Sequence, residues 1–281
     1  MPSPVHTGAT PLTLLYQARG LPPGELPPGL RRLYGGPLGL PRRTVYSNFV
    51  TSLDGVAVVG PSSGSVLSQQ SQEDRLVMGL LRSLADVVLI GSGTLHGSPG
   101  HVWTPEHVYP RAADLFQELR RRLGLKSRPV LAVATGSGRL DLSHPGLSEP
   151  ALILTSNPGA QRLGPSLTHR VLVLDESGEP TPRQMVRALR QEGHLAILTE
   201  GGPRLLGQVL KDGLLDQLFL TLAPTLAGRT EAQPRAGMIA GVDLLGGLAQ
   251  LRLLSARRGG SHLFLRYRLL RPARSSPNGG V

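Results

Sequence analysis

The sequence predicts an α/β fold in which a mostly parallel central sheet is flanked by helices and ends in an antiparallel C-terminal hairpin. From residue 44 onward, short apolar stretches of strand length alternate with segments of helical periodicity, a pattern typical of parallel sheets. Glycine-rich turns directly follow two of these stretches, at residues 91–94 and 200–203. Near the C-terminus, two further strand-like stretches are separated only by a short turn containing Gly259 and Gly260, as in a β-hairpin.

The individual elements follow from local patterns. The first strand begins at Thr44, where β-branched and aromatic residues alternate, and it breaks at the turn 52–55. Residues 71–84 predict a helix because leucines recur at three- and four-residue spacing. Another helix runs from Thr181 to Glu192, since threonine precedes proline at its first turn. The other predicted strands are 86–91, 129–135, 151–155, 171–175, 195–200, 214–224, 250–257 and 262–270, the other helices are 114–123 and 204–211, and loops are predicted at 60–68 and 95–110.

The domain organisation is predicted from glycine and proline. Residues 1–43 contain Pro-Pro-Gly twice and Gly-Gly-Pro once, punctuation that allows only short pieces of structure. We therefore predict an N-terminal extension over 1–43, one domain over 44–271, and a flexible tail over 272–281.

Composition excludes several classes of function. The 281 residues contain no cysteine, which excludes disulfide scaffolds, thiolate zinc sites and cysteine nucleophiles. The net charge of +11 comes from 28 scattered arginines and two lysines, a pattern that does not favour nucleic-acid binding. No apolar run is long enough for a membrane helix, so we expect a cytoplasmic protein. Three histidines share the 95–110 loop without metal-ligand spacing, so no metal site is predicted.

Three sequence features could carry chemistry. Gly91-Ser92-Gly93-Thr94 follows a buried strand, and its glycines permit close approach of the backbone to a phosphate or a ring. Residues 199–207 combine a strand end, a glycine pair and a helix start, which suits a pyrophosphate, and Glu200 would point a carboxylate into the crevice. Asn48 and Asp54 lie on the same side of the strand register, so both could face one pocket.

The order of these motifs resembles that of one family. The motifs are Ser52-Leu53-Asp54-Gly55, Gly64-Ser65, residues 81–94, Glu200-Gly201-Gly202-Pro203, residues 213–217 and Leu222-Ala223-Pro224. From about Arg31 to Arg268 the chain is similar to the C-terminal reductase domain of the riboflavin-biosynthesis deaminase-reductase, and most of all to stand-alone pyrimidine reductase family proteins. The resemblance implies a dihydrofolate-reductase-like fold, NADPH as cofactor, hydride transfer to a small phosphorylated pyrimidine or pteridine, and a homodimer formed through the sheet edge. The absence of cysteine agrees with a reductase that lacks the deaminase half.

The resemblance also implies roles for individual residues. The NADPH-binding positions would be Gly93, Thr94, Thr135, Gly136, Gly201, Gly202, Pro203, Arg204, Leu205, Leu206, Gly207 and Gln208. The substrate-binding positions would be Asn48, Ser65, Arg82 and Glu200, with the Arg82 fork suited to a phosphate or carboxylate. Glu200 or Asp54 is the expected proton source.

One departure from the family pattern leaves the substrate open. Asn48 stands where riboflavin-pathway reductases typically carry lysine, and Ser98 stands where an aspartate is often found. The expected activity is that of an NADPH-dependent oxidoreductase acting on CH-OH or C=N groups, similar to 5-amino-6-(5-phosphoribosylamino)uracil reductase. The alternatives are a dihydrofolate or pteridine reductase on the same fold, and a nucleotide-binding protein without turnover.

Overall fold

A computed structural model describes residues 8–24, 26–60, 63–165, 168–247 and 249–270. The strands of this part of the chain are β1 (Thr13–Gln17), β2 (Thr44–Thr51), β3 (Val87–Gly91), β4 (Val130–Thr135), β5 (Leu152–Ser156), β6 (Arg170–Asp175), β7 (Ala196–Thr199), β8 (Gln217–Leu222), β9 (Leu251–Gly259) and β10 (His262–Leu269). The helices are α1 (Pro28–Tyr34), α2 (Ser63–Leu67), α3 (Gln72–Ser83), α4 (Ser92–His96), α5 (Pro105–Val108), α6 (Ala113–Arg122), α7 (Asn157–Leu163), α8 (Pro182–Gln191) and α9 (Pro203–Lys211).

All ten strands form one mixed sheet in the order β1-β9-β10-β8-β2-β7-β3-β4-β5-β6. The strands from β8 to β6 in this order run parallel. The hairpin strands β9 and β10 pair antiparallel with each other, and β10 pairs antiparallel with β8. The predicted fold class, a mostly parallel sheet with an antiparallel C-terminal hairpin, is confirmed.

Apolar side chains cover both faces of the sheet, as expected for parallel strands with helices on each side. On one face, α3 and α6 pack through residues such as Leu80 and Phe116 against Val88 of β3. On the other face, α8 and α9 pack through residues such as Leu189 and Leu206. Successive residues of β3 alternate between these two cores, which explains why the strand reads as a continuous apolar run.

The two predicted loops contain short helices. Residues 60–68 include α2, and residues 95–110 include the end of α4 and all of α5. α7 follows β5 and has no counterpart in the prediction. Polar and proline residues mark the starts of these helices: the Thr104 hydroxyl caps α5, which begins at Pro105, and the Ser156 hydroxyl accepts a hydrogen bond from the Gly159 amide in α7.

The N-terminal segment packs onto the sheet. β1 pairs antiparallel with β9, and α1 buries Leu30, Leu33 and Tyr34 in the core. The boundary at residue 43 stays a prediction, and residues 271–281, which hold the predicted tail, lie outside the described residues. No helix in the described part of the chain is long and apolar enough to cross a membrane.

Candidate active site

A cleft of about 1050 Å³ opens where the parallel strands β2, β3, β4 and β7 end. Because the carboxyl ends of parallel strands meet at one edge of a sheet, loops that are far apart in sequence converge there. The predicted site residues that line this cleft are Asn48, Ser65, Arg82, Gly93, Thr94, Thr135, Gly136, Glu200, Gly201, Gly202, Pro203, Arg204, Leu205 and Gln208.

The two glycine-rich segments lie side by side in the cleft, and the first of them, predicted as a turn at 91–94, instead forms the start of α4. A Cβ atom added to Gly202 would stand 3.5 Å from the Thr94 hydroxyl oxygen, and a Cβ atom added to Gly93 would meet nothing within 4 Å. Gly202 is the N-cap residue of α9, and no side chain caps the helix there. The amide groups and the positive end of the α9 dipole therefore face a space that glycine keeps open.

Two of the predicted cofactor-binding residues, Leu206 and Gly207, do not line the cleft. Leu206 is fully buried in the core between α9 and the sheet. Gly207 lies against the 239–242 segment, since an added Cβ would stand 2.8 Å from the carbonyl oxygen of Ala240. Both positions follow the α9 helical period, which turns residues 206 and 207 away from the cleft.

The end of β4 forms the far side of the cleft. The Thr135 hydroxyl accepts a hydrogen bond from the Gly138 amide at 3.1 Å and so closes the turn after the strand. Gly136 lies under the Glu179 side chain, whose Cγ atom is 2.5 Å from the Cβ position of Gly136. An acidic side chain therefore stands beside Gly136, one of the predicted NADPH-binding positions.

Arg82 and Glu200 form a buried ion pair at the cleft. The Arg82 Nη2 donates to Glu200 Oε2 at 2.6 Å, and Nε lies 3.1 Å from both carboxylate oxygens. The two side chains are only 1% and 8% exposed. Nη1 donates to the carbonyl oxygens of Val102 and Thr104 at 3.3 Å. The guanidinium fork predicted to bind a ligand anion thus holds Glu200 in place.

A histidine completes the set of Arg82 partners. Nε2 of His101 lies 2.9 Å from Arg82 Nη2, and the ring packs edge-on against Trp103. Burial and the neighbouring Arg82 cation lower the pKa of His101 to about 3. The ring is therefore neutral at pH 7 and accepts a hydrogen bond from Arg82 through Nε2. Within the described ranges, no group of three or more His, Cys, Asp or Glu residues could hold a metal ion.

Asp54 lies outside the cleft, so the structure does not place the predicted proton source near a ligand. The Asp54 carboxylate accepts hydrogen bonds from the amides of Ala227 and Gly228 at 3.0 and 2.8 Å. Hydrogen bonds from Ser52 and from this backbone lower the pKa of Asp54 to about 2. An anion that fixes a neighbouring loop is a poor proton donor, and Asp54 is not assigned that role here.

Asp74 is a titratable cleft residue that the sequence interpretation missed. It is 4% exposed on the α3 face that also presents Met78 and Arg82 to the cleft. Burial raises the pKa of the Asp74 carboxyl, and hydrogen bonds from the Thr221 and Ser68 hydroxyls only partly offset this effect. Asp74 stands four residues before Met78 and eight before Arg82, a helical spacing that could have identified it.

Comparison with known families identifies relatives of this architecture. The family model described as RibD C-terminal domain matches residues 43–265. No protein among the curated sequences matches the chain significantly.

Several solved structures share the fold. A pyrimidine reductase-like protein from Corynebacterium diphtheriae is 24% identical, with 86% of this chain and 98% of that chain covered and a TM-score of 0.67. RibD from Acinetobacter baumannii, form 1, is 19% identical, with 82% and 58% covered and a TM-score of 0.63, so this chain spans little more than half of it. The Saccharomyces cerevisiae riboflavin biosynthesis reductase Rib7 is 14% identical, with 84% and 94% covered and a TM-score of 0.53.

Proposed function

The chain belongs to the RibD C-terminal domain family, and on that premise we propose that it is an NADPH-dependent reductase of a pyrimidine-type substrate. The proposed reaction is similar to that of 5-amino-6-(5-phosphoribosylamino)uracil reductase in riboflavin biosynthesis. Family membership alone specifies neither the cofactor nor the reaction, so both are part of this proposal.

The observation that carries the proposal is the meeting of two glycine-rich segments at one cleft. The segment after β3 and the segment after β7 adjoin at Thr94 and Gly202, and the uncapped N-terminus of the nine-residue α9 faces the same space. Backbone amides and a helix dipole with no side chain between them suit a pyrophosphate. Arg204, exposed in the first turn of α9, adds a cation at the cleft.

These residues fit a dinucleotide, which would supply the hydride when bound. Gly93 and Gly202 would allow the backbone to approach it closely, and Thr94 would donate a hydroxyl hydrogen bond. The buried Arg82–Glu200 pair would keep the adjoining wall of the cleft rigid. Positioning and exclusion of water by these groups would provide most of the rate enhancement.

We assign the proton donor to Asp74. A donor must lie in the cleft and hold its proton more tightly than an ordinary carboxyl, and Asp74 lines the cleft with a pKa that burial raises. Glu200 accepts hydrogen bonds from Arg82 at both of its oxygens, so its carboxyl group is already engaged in that ion pair. In this proposal Asp74 takes over the role expected of Glu200 or Asp54.

A dihydrofolate or other pteridine is a second candidate substrate. Asn48 brings a neutral amide to the position where riboflavin-pathway reductases typically carry lysine, and the carboxyl oxygens of Asp74 can accept hydrogen bonds from ring N–H groups. A ring that presents such donors, as pteridines do, would fit this pair without needing a cation for a ribose phosphate.

The test is a direct assay of NADPH oxidation with each substrate in turn. We expect oxidation that depends on the ribosylaminopyrimidine phosphate and is slower with dihydrofolate. Faster turnover of dihydrofolate would select the second candidate. NADPH binding without turnover of either would indicate a nucleotide-binding protein. No binding of NADPH at about 100 µM, within the usual range of KM values, would contradict the whole proposal.

We also propose that the protein is a homodimer formed through the sheet edge. The outer strand β1 exposes Leu14, Leu15 and Tyr16 at 45%, 54% and 47%. A run of exposed apolar residues on an edge strand is a surface that native proteins normally cover.

A further inference from the structure

A second cavity, which shares no lining residue with the active-site cleft, lies beneath the N-terminal segment. It measures about 300 Å³ and is lined by residues 17–23, Pro37, Gly39 and Arg266 of β10. We call it the arginine cavity, because Arg266 closes its inner wall and Arg19 stands at its rim.

Arg266 is buried among neutral partners. Its side chain is 3% exposed, Nε donates to the Gln217 side-chain oxygen at 2.7 Å, and Nη2 donates to the carbonyl oxygen of Gly39 at 2.7 Å. The guanidinium also lies 5.4 Å from the centre of the Phe219 ring. Within the described part of the chain, the Nη1 nitrogen of Arg266 has no hydrogen-bond acceptor. The buried side-chain atoms that have no hydrogen-bond partner do not include Nη1. The Arg266 side chain also lines the arginine cavity, so Nη1 is the group available to a ligand there.

A second buried cation increases the positive potential. Arg257 is 1% exposed and donates to the carbonyl oxygens of Tyr34 and Pro37 and to the Ser255 and Gln17 side chains. Arg257 and Arg266 form no ion pair with any carboxylate of the described residues.

The contrast with Arg120 shows that this arrangement is unusual within the chain. Arg120 is also buried and also donates to carbonyl oxygens, but two of these, from Arg82 and Ser83, lie at the end of α3, where the helix dipole is negative, and Asp86 and Glu106 act on it electrostatically. Among the described residues, no carboxylate acts in this way on Arg266: Tyr34 raises its pKa, and the Arg257 and Arg268 cations lower it.

The charge of Arg266 persists at neutral pH. Burial and the neighbouring arginines lower the pKa of Arg266 to about 10, which still leaves the guanidinium protonated at pH 7. A buried charge without a counter-charge is costly, and an anion that enters the cavity would remove much of that cost.

We propose that the arginine cavity is a binding site for a small oxyanion, a phosphate or carboxylate group, held by Arg266 Nη1 from inside and by Arg19 from the rim. The site couples the N-terminal segment to the hairpin, because residues 17–23 form its outer wall and β10 forms its inner wall. The proposal does not depend on the reductase activity.

The test is a titration of the whole protein with inorganic phosphate, with chloride at the same ionic strength as the reference. Binding is measured by calorimetry and by the shift in Tm, for the wild type and for Arg266→Gln, Arg19→Gln and Arg204→Gln. Loss of one charge-assisted hydrogen bond is expected to weaken phosphate binding by about tenfold or more for Arg266→Gln and Arg19→Gln. Arg204→Gln is the matched control, because Arg204 lies at the active-site cleft and its loss leaves the arginine cavity intact.

Arg19→Gln keeps the test valid if Arg266→Gln fails to fold, since Arg19 is exposed and its substitution leaves the core unchanged. A crystal grown with selenate is expected to show an anomalous peak beside Arg266 Nη1. Phosphate binding that is lost only in Arg204→Gln, or a selenate peak only in the active-site cleft, would overturn the proposal without affecting the proposed reductase function. Acetate in place of phosphate distinguishes a carboxylate site from a phosphate site.

Discussion

At the scale of single residues, the candidate site depends on which charged groups are already paired. The sequence indicates Arg82 and Glu200 as separate ligand contacts because a single chain pattern shows residue types and not partners. Folding joins them across 118 positions into one ion pair. Arg82 therefore positions Glu200, and the positive charge that a ligand phosphate meets comes from elsewhere, such as Arg204.

Glu200→Gln tests this pairing. The substitution leaves the Arg82 cation buried with an amide in place of a carboxylate, so we expect a loss of about 3 kcal/mol in the free energy of unfolding. Turnover should fall while NADPH affinity changes little, because the Glu200 side chain bonds to Arg82 and is not among the groups proposed to hold the pyrophosphate. Urea unfolding and NADPH titration measure the two effects.

The matched control for Glu200→Gln is Glu192→Gln. Glu192 pairs with Arg170, which is 64% exposed, so its loss should cost less than about 1 kcal/mol. Equal losses in the two variants would contradict the structural role of the buried pair, and a large loss of NADPH affinity in Glu200→Gln would show that Glu200 touches the cofactor.

Asp74→Asn tests the proton donor. The folded-state pKa of Asp74 is raised by burial and by Glu200, and lowered by His262 and by the Thr221 and Ser68 hydroxyls, with a net rise. Turnover of the wild type should therefore fall as the pH rises through this raised pKa, where Asp74 loses its proton. The variant should have much lower turnover and lack this limb of the pH profile, while solvent supplies the proton.

The raised pKa of Asp74 also makes the stability of the protein depend on pH. The folded protein holds the Asp74 proton more tightly than the unfolded chain does, so stability falls as the pH rises from the ordinary aspartate pKa to the raised one. Asp74→Asn should remove this fall, and thermal unfolding across the pH range measures it. An unchanged activity profile together with a flattened stability profile would mean that Asp74 titrates without acting in turnover.

At the scale of elements, the long helices could be predicted from the sequence and the short helices could not. The helices α3, α6, α8 and α9, of nine to twelve residues, were predicted because they are long enough to show a periodic pattern. α2, α4, α5 and α7 have four to seven residues; α2, α4 and α7 begin with serine or asparagine next to glycine or proline, and α5 begins with Pro105 after the Thr104 cap. The same residues are typical of loops, so local signals cannot separate the two cases.

The elements of the candidate site could also be predicted only in part. The sequence indicates both glycine-rich segments, although residues 92–94 begin α4 and do not form a turn. Their adjacency depends on β7 lying between β2 and β3 in the sheet, an order that only the long-range pairing fixes. Asp74 was missed because it follows the Ser71 cap by three residues, where an acidic residue is explained by the helix start alone.

Gly202→Val tests the role of the α9 turn. Gly202 has φ −64°, which valine can adopt, and its Cβ direction leads toward Thr94 across the space assigned to the pyrophosphate. We expect at least a tenfold rise in the Kd for NADPH, and a loss of stability below about 1 kcal/mol because glycine is only moderately favoured at an N-cap. Gly247→Ala, which places a methyl group in open space, should change neither quantity. Unchanged NADPH affinity in Gly202→Val would place the cofactor elsewhere.

At the scale of the whole molecule, the N-terminal segment is a structural part of the sheet. The sequence shows only its glycine and proline punctuation, because the pairing of β1 with β9 joins residues more than 200 positions apart. Arg257 fixes the segment through the carbonyl oxygens of Tyr34 and Pro37. As a result β1, and not the hairpin, forms this edge of the sheet.

The exposed edge strand β1 leads to a prediction about the oligomeric state. Leu15 is 54% exposed on β1, and a stable dimer must bury about 1,200 Å² or more of surface, so a charge at the centre of the strand would oppose its burial. We expect Leu15→Lys to shift the protein from dimer to monomer in sedimentation or light scattering without loss of fold, since the side chain is not part of the core. Leu123→Lys, at an exposed leucine after α6, is the control and should remain dimeric. If Leu15→Lys also stays dimeric, the protomers meet at another surface, and the apolar run on β1 needs a different explanation.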